Sequence, residues 1–181
     1  MFRYAMWVAL TGGLLGVPAA VCGQDTPEIT DAAVRPPTQK MAGPRFGFTA
    51  FTGDVAKFRS DAGLEPVMTQ FGWQWETQMV STETGSQALL EWVVLAGGLE
   101  QSELNLSLSF LAGFRFENGV EFGVGPNVNF NPDNDEPTRS MIVATGASMP
   151  VGSFRFPINL AVGIAEGGPR FTALMGWVVG Q

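Results

Sequence analysis

Histidine is absent from the 181-residue chain, and the single cysteine is Cys22. Without histidine, serine–histidine–aspartate and cysteine–histidine catalysis are excluded, as are histidine-ligated zinc and haem. A single cysteine excludes an intrachain disulfide and a cysteine-based metal cluster. The sequence therefore predicts no metal site, no cofactor and no catalytic residues of these classes.

Charge and tyrosine are also scarce. Charged residues make up 15% of the chain, whereas an ordinary soluble domain has about 25%. No lysine follows Lys57, and the only tyrosine is Tyr4. The net charge is −7. An acidic chain without a basic patch binds nucleic acid poorly, so we expect no nucleic-acid partner.

The first 23 residues have the pattern of a secretory signal peptide. Arg3 precedes an apolar run over residues 5–17, and this run is too short for a transmembrane helix. Small residues come after the run and favour cleavage after Gly23, with cleavage after Ala20 as the alternative.

The residues around the predicted cleavage site indicate how the mature chain begins. Cys22 fits poorly as a lipidation site, because Val21 occupies a position that normally holds a small residue. Residues 24–43 contain three prolines and few large apolar residues, which indicates a flexible segment. The folded domain is then predicted over residues 44–181.

Large apolar residues alternate with small or polar residues throughout the predicted domain, as they do in β-strands. Turn-forming clusters divide the domain into eight segments: 45–51, 68–79, 87–95, 104–116, 120–130, 140–149, 153–164 and 170–179. No 3.6-residue apolar stripe of useful length interrupts them. The pattern predicts an all-β fold, an antiparallel up-and-down barrel of about eight strands.

Successive side chains of a strand point to opposite faces, and the two predicted faces differ sharply. One face is apolar and uncharged, and its aromatic residues include Trp73, Trp75, Trp92, Phe110, Phe122, Phe156 and Trp177. The other face is rich in Gly, Ser and Asn, and its charged residues include Glu76, Glu91, Arg115, Glu121, Arg155 and Arg170. These six charges predict an ion-pair network inside a closed barrel.

Two kinds of barrel fit this alternation. In a soluble barrel the aromatic face forms the core, whereas in a membrane barrel it contacts lipid and the polar face fills the interior. The membrane barrel is favoured, because the predicted strands hold no lysine and because small residues suit the narrow interior of eight strands. The soluble alternative is a secreted or periplasmic barrel that binds a small apolar ligand, as lipocalins do.

The alternation is cleanest in residues 70–76 and 120–127. Together with the signal peptide and the aromatic face, it makes residues 44–179 similar to the small OmpA/OmpX-type outer-membrane barrels of Gram-negative bacteria. The resemblance implies an integral protein of the outer membrane that contacts membrane lipid and depends on barrel-insertion machinery. It also implies a filled interior and a structural or interaction role rather than an enzyme.

Three chemical alternatives are weaker. The three glutamates of the polar face could supply an acid–base pair, but nothing marks one of them as specially placed. Asp133, Asp135 and Glu136 could bind Ca²⁺, but their loop lacks the EF-hand pattern and is interpreted as a solvated acidic loop. A lipid-modifying hydrolase with an activated serine would lack its histidine base.

An even number of strands places both chain ends on the periplasmic side. Residues 54–66, 97–103, 131–138 and 165–169 are then outer loops, and residues 81–86, 117–119 and 150–152 are inner turns. Arg115 and Glu121 lie equally far from Asn118 in the tight turn over residues 117–119, so we expect them to be cross-strand neighbours.

Overall fold

The computed structural model of the chain describes residues 40–132 and 136–180. The predicted signal peptide and residues 24–39 of the predicted flexible segment lie outside the described residues. Within them, the β-strands are β1 Lys40–Phe51, β2 Val67–Ser81, β3 Gln87–Gly97, β4 Asn105–Arg115, β5 Val120–Phe130, β6 Thr138–Val151, β7 Phe154–Ile164, β8 Arg170–Gly176 and β9 Val178–Gly180. The helical elements are α1 Gly53–Asp61 and a 3₁₀ helix, Leu99–Gln101.

The strands form one closed antiparallel barrel. Each strand from β1 to β7 pairs with the next strand along the chain, and β1 also pairs with β8, which closes the ring. β9 continues β8 beyond Trp177 and pairs with β1 on one side and with β7 on the other. β8 and β9 together therefore act as the eighth strand, and the predicted up-and-down eight-stranded barrel is confirmed.

Large apolar side chains cover the outside of this barrel, while the buried charged and polar side chains of the strands point inward together with a smaller number of apolar ones. Trp75 is 47% exposed, whereas its neighbour Glu76 is 2% exposed, and the same alternation runs along β4 and β5. An apolar outer surface around a polar interior is what lipid requires of a spanning barrel. The chain is therefore a transmembrane β-barrel, and the alternative with an aromatic core is wrong.

The two ends of the barrel differ in their connections. One end, the loop end, carries α1, the 3₁₀ helix and the connections over residues 131–137 and 165–169. The other end, the turn end, carries three turns, over residues 82–86, 116–119 and 152–153, together with Lys40 and Gly180, the first and last described residues. This grouping is the predicted one, while the orientation of the loop end toward the cell exterior stays a prediction.

The first strand begins earlier than the sequence pattern indicated. β1 starts at Lys40, within the segment interpreted as flexible, because residues 40–43 pair with residues 77–74 of β2. Met41 and Ala42 also pair with β9. These residues lack the apolar–polar alternation, so their strand conformation is imposed by neighbours on both sides.

α1 lies in a stretch that the sequence indicated as an outer loop. Its nine residues carry no apolar stripe, and its buried residue is Arg59. A helix held by a buried arginine gives no 3.6-residue hydrophobic signal, so sequence periodicity could not find it. Within the described residues, no helix is both long and apolar enough to span a membrane.

Glycines allow neighbouring strands to approach closely on this narrow barrel. At Gly72, a Cβ atom would lie 1.9 Å from the carbonyl oxygen of Val94 and 2.8 Å from the Cα of Leu95 on β3. At Gly47 and Gly125, a Cβ atom would likewise lie 1.9 Å from a backbone oxygen of the neighbouring strand. The tight coiling of the barrel therefore depends on residues without a side chain at these points.

Candidate functional site

Three charged residues of the polar face form an interior charge cluster, which we define as Arg115, Glu76 and Glu121. Arg115 donates hydrogen bonds from Nη1 and Nη2 to the two carboxylate oxygens of Glu76, at 2.6 and 2.7 Å. Its Nε donates to Oε1 of Glu121 at 2.5 Å. All three residues are buried. The forked guanidinium thus neutralises two carboxylates at once.

The cluster is a consequence of strand register. Arg115 ends β4, Glu121 is the second residue of β5, and the two are direct partners in the β4–β5 ladder. The turn between them reverses the chain at Gly119, whose φ is +84°, a conformation that glycine adopts readily. Glu76 comes from β2, two strands away, and no local pattern in the sequence indicates which glutamate Arg115 selects.

The other three predicted network residues remain outside the cluster. Glu91 stands directly opposite Glu76 in the β2–β3 ladder, so two carboxylates face each other without an attraction between them. Among the described residues, Glu91, Arg155 and Arg170 have no hydrogen bond or ion pair. The structure therefore brings together three of the six residues.

Arg45 is a buried interior cation that sequence reasoning missed. Its Nε donates to Oε1 of Gln74 at 2.7 Å, whereas its buried Nη1 has no hydrogen-bond partner among the described residues. The guanidinium lies over Gly176, where a Cβ atom would come within 3.1 Å of Nη1. Arg45 lies two and four residues before Gly47 and Thr49, which the sequence places on the polar face. Because alternate residues of a strand share a face, this spacing could have placed Arg45 inside the barrel.

A central cavity of about 80 Å³ lies within the barrel. Its lining is mixed. Polar residues of the lining include Gln70, Gln74, Ser107, Ser109, Asn127 and Asn129. Apolar residues of the lining include Val93, Leu95, Leu111, Ile142 and Leu174. Glu91 and Arg170 are the two charged residues in the lining.

Asn127 organises the polar part of this lining. Its Nδ2 donates to the hydroxyl oxygens of Ser107 and Ser109, at 2.7 and 3.0 Å. Its Oδ1 accepts hydrogen bonds from Asn129 and Ser140, at 2.5 and 3.1 Å. Buried amides and hydroxyls that satisfy one another hold this part of the wall in a single arrangement.

A second buried ion pair lies at the loop end. Arg59 of α1 donates from Nη1 to Glu103 at 2.7 Å and from Nε to the carbonyl of Glu65 at 3.0 Å. Its guanidinium carbon lies 4.6 Å from the centre of the Phe51 ring. The other carboxylate oxygen of Glu103 accepts a hydrogen bond from Asn131 at 2.8 Å. These contacts fix α1 to three other segments, and the sequence gives no signal for them.

Glu100, in the 3₁₀ helix, fastens the β3–β4 connection to β2. Its carboxylate accepts hydrogen bonds from the backbone N–H and the hydroxyl of Thr69, at 2.7 and 2.6 Å. Slight burial acts to raise the pKa of Glu100, but the hydrogen bonds from Thr69 outweigh it and lower the pKa to about 2. The contact is therefore strongest when Glu100 is ionised.

The predicted lipid-facing aromatics lie on the outer surface. Six of the seven are exposed there: Trp73, Trp75, Trp92, Phe122, Phe156 and Trp177. Phe110 is half-buried because its ring packs against Trp92, with 4.5 Å between ring centres. Edge-on ring contacts also join Phe46 with Trp177, at 6.4 Å between ring centres, and Phe114 with Phe116, at 5.1 Å, so the outer band contains several packed aromatic pairs.

The acidic loop interpreted as solvated is described only in part. Asp133 and Asp135 lie outside the described residues. Among the described residues, no group of three or more Asp, Glu, His or Cys side chains is arranged to hold a metal ion.

Comparison of the sequence with models of known protein families gives no match, and comparison with curated proteins gives none. Among solved structures, the chain is similar to Ail, the attachment invasion locus protein of Yersinia pestis, determined in complex with the heparin analogue sucrose octasulfate. The similarity covers 80% of this chain and 100% of the Ail chain, at 9% sequence identity and a TM-score of 0.45.

Proposed function

We propose that the chain is an integral protein of the bacterial outer membrane with a structural or interaction role. The observation that carries this proposal is the outward apolar surface, which runs along every strand from β1 to β8 while the polar residues face inward. Such a surface is stable in lipid and costly in water. Membrane lipid is therefore the first partner, and barrel-insertion machinery is the second.

The side chains that fill the barrel interior favour a structural or interaction role rather than a role as a pore. The interior charge cluster occupies the turn end, and the Arg59–Glu103 pair lies at the loop end. Between them, the central cavity measures only about 80 Å³. Eight strands enclose a space that side chains nearly fill, so we propose that the protein forms no wide channel.

The hydrogen bonds of the interior glutamates argue against glycoside hydrolysis as the function. Such chemistry needs two carboxyl groups free to act as acid and as base or nucleophile. Glu76 and Glu121 are both bound to Arg115, which leaves Glu91 alone. The proposal therefore places no enzymatic site in the barrel.

The interaction role is assigned to the loop end. α1 is held there by the buried Arg59–Glu103 pair, and the β3–β4 connection is fastened by Glu100 to Thr69. Loops that are anchored at several points present a defined surface with little ordering cost on binding.

Membrane extraction tests the proposal. We expect the protein to stay with the membrane fraction after washing with carbonate and with urea. Release into either wash would contradict an integral barrel.

Tryptophan quenching provides the second measurement. Trp73, Trp75, Trp92 and Trp177 all lie on the outer surface, so lipids with brominated acyl chains should quench the emission of the folded protein. Unquenched emission from protein that is folded in these lipids would mean that the tryptophans avoid lipid. A lipid with the same headgroup and unbrominated chains is the control.

A further inference from the structure

The hydrogen-bond ladders on both sides of the last strand are interrupted at the same level, where β8 gives way to β9. On the β1 side, pairing stops after Gly176 and resumes at Val179. On the β7 side, it stops after Met175 and resumes at Val178. Trp177 therefore has no ladder partner on either side, and this double gap separates β9 from the rest of the last strand.

A proline lies opposite the last strand in the gap on the β1 side. Continuing the β1–β8 register by one residue places Pro44 opposite Trp177. The carbonyl oxygen of Trp177 points to this side, because it lies against the backbone of Gly43 on β1. Proline has no N–H group, so Pro44 cannot donate a hydrogen bond to that oxygen.

The gap on the β7 side has the same cause. A residue of an antiparallel strand directs its N–H and C=O groups to one neighbouring strand, and the next residue directs them to the other. Since Trp177 points to β1, Gly176 points to β7, and the β7 residue opposite it in the register is Pro157. Two adjacent residues of the last strand thus each lose one ladder hydrogen bond, one on each side.

The strand beyond the gaps is held weakly. β9 has three residues, and it pairs with two residues of β1 and with two residues of β7. Pro126 likewise interrupts the β4–β5 ladder, whose register skips residues 125 and 126. β5 continues as a paired strand on both sides of that interruption, whereas β9 is attached to paired strand at one end only. Local opening is therefore easier at β9 than at Pro126.

β9 covers a buried group that lacks a partner. Val178 is fully buried and points inward, as Gly176 does two residues earlier. The Arg45 guanidinium lies over Gly176, and its buried Nη1 has no hydrogen-bond partner among the described residues. A buried donor without an acceptor is unfavourable, and water that enters when Val178 moves aside hydrates it. The hydration of Arg45 thus favours the opening that the missing ladder bonds make easier.

Trp177 provides a pivot for this opening. Its ring packs edge-on against Phe46 of β1, with 6.4 Å between ring centres, so Trp177 keeps its contact with the barrel while the following residues move. We propose that β9 is a hinged flap that opens at Trp177 and admits water to the turn-end interior beside Arg45. The motion is a property of the barrel alone, and a flap that stays closed would leave the proposed function intact.

Cysteine labelling measures the opening. The only cysteine of the sequence is Cys22, so protein that begins at Gln24 has none, and Val178→Cys introduces a single thiol. The matched control is Leu89→Cys, because Leu89 is also buried near the turn end but lies in a strand that is paired on both sides. Both variants are folded in detergent micelles, checked by heat-modifiable mobility and treated with a water-soluble thiol reagent. The Val178→Cys protein should react about tenfold faster or more, because β9 opens without the other strands.

Restoring the missing donors tests the cause of the opening. Pro44→Ala and Pro157→Ala each return one N–H group beside the last strand, so each should slow the labelling of the Val178→Cys protein about threefold or more, as expected for one added hydrogen bond. Pro126→Ala is the control substitution, since it returns an N–H group to β5, which does not pair with β9. It should leave the labelling rate unchanged.

Equal labelling rates of the Val178→Cys and Leu89→Cys proteins would overturn the proposal, and so would a rate that neither proline substitution slows. Amide hydrogen exchange of the unaltered protein decides the matter even if a variant fails to fold. The amides of Val178 and Val179 should exchange faster than those of Ala173 and Leu174 in β8. Equal protection of the two pairs would show that β9 opens only together with β8 and would refute the flap.

Discussion

At the scale of single residues, Arg115 is the side chain on which the interior charge cluster depends. Arg115→Ala leaves Glu76 and Glu121 buried without a partner, so we expect the free energy of unfolding to fall by about 3–5 kcal/mol. Glu121→Ala should cost less, because Arg115 keeps both hydrogen bonds to Glu76. The double variant should cost less than the sum of the two single variants.

Urea unfolding in lipid, read together with heat-modifiable gel mobility, measures this cycle. The matched control is Lys57→Ala, which removes an ion pair with Asp54 whose side chains are 78% and 85% exposed. That change should alter stability by about 0.5 kcal/mol or less. Strict additivity of the Arg115 and Glu121 changes would mean that the two residues do not interact.

The same arginine substitution at two adjacent residues separates the lipid face from the interior. Leu108 is exposed on the outer surface, and Leu108→Arg should destabilise the barrel by about 2–4 kcal/mol, the cost of arginine near the middle of a bilayer. Ser107 lines the central cavity, so Ser107→Arg should be better tolerated. Urea unfolding in lipid vesicles compares the two, and wild-type stability of Leu108→Arg would show that position 108 does not face lipid.

At the scale of the strand, Gly72 sets how closely β2 approaches β3. Gly72→Ala places a methyl group 1.9 Å from the carbonyl oxygen of Val94, so the strands must separate and the yield of folded barrel should fall sharply. Gly123→Ala is the matched control, because its nearest contact would be at 3.7 Å. Refolding into vesicles, monitored by heat-modifiable mobility, distinguishes them. Equal yields would mean that the β2–β3 approach is not required.

The contact between the 3₁₀ helix and β2 should depend on pH. The pKa of Glu100 is lowered to about 2 in the folded protein from an ordinary value of 4.5. Its stabilising contribution is therefore complete above about pH 4.5 and is lost as the pH falls toward 2. The amide signal of Thr69 in NMR spectra of the folded protein should titrate with its midpoint near the lowered pKa of about 2. Glu100→Gln should abolish the titration, and a Thr69 signal that still titrates in this variant would assign it to another group.

The sequence predicts those contacts that follow from regular alternation along one strand or from one tight turn. Strict alternation is enough to place Trp75 outside and Glu76 inside, and a tight turn is enough to pair Arg115 with Glu121. Arg59 and Glu103 lie in different connections, so only the closed fold brings them together. Arg115 on β4 binds Glu76 on β2 and not Glu91 on β3. This pairing depends on the positions of side chains on three strands of the closed barrel, which the periodicity of the sequence does not encode.

At the scale of the whole molecule, the two ends of the barrel should lie on opposite sides of the membrane. An epitope tag inserted at Asn134, in the connection at the loop end, should be detected on intact cells. The same tag at Thr84, in the β2–β3 turn, should be detected only after permeabilisation. Immunofluorescence before and after permeabilisation measures both, and the reversed pattern would place the loop end in the periplasm.

Because the ring closes between β1 and β8, the barrel cannot be completed until the last strands of the chain have been synthesised. β1 is the first described strand to be made, yet one of its edges has no partner until β8 and β9 exist. Pairing strands so far apart in the chain is slow, and an unpaired edge invites association with other chains. A chain that stops before β8 cannot settle as a smaller barrel, because β1 and β7 then remain as open edges. Completion of the last strand therefore removes the open edges, and lipid must still cover the apolar outer surface before the protein is protected from aggregation.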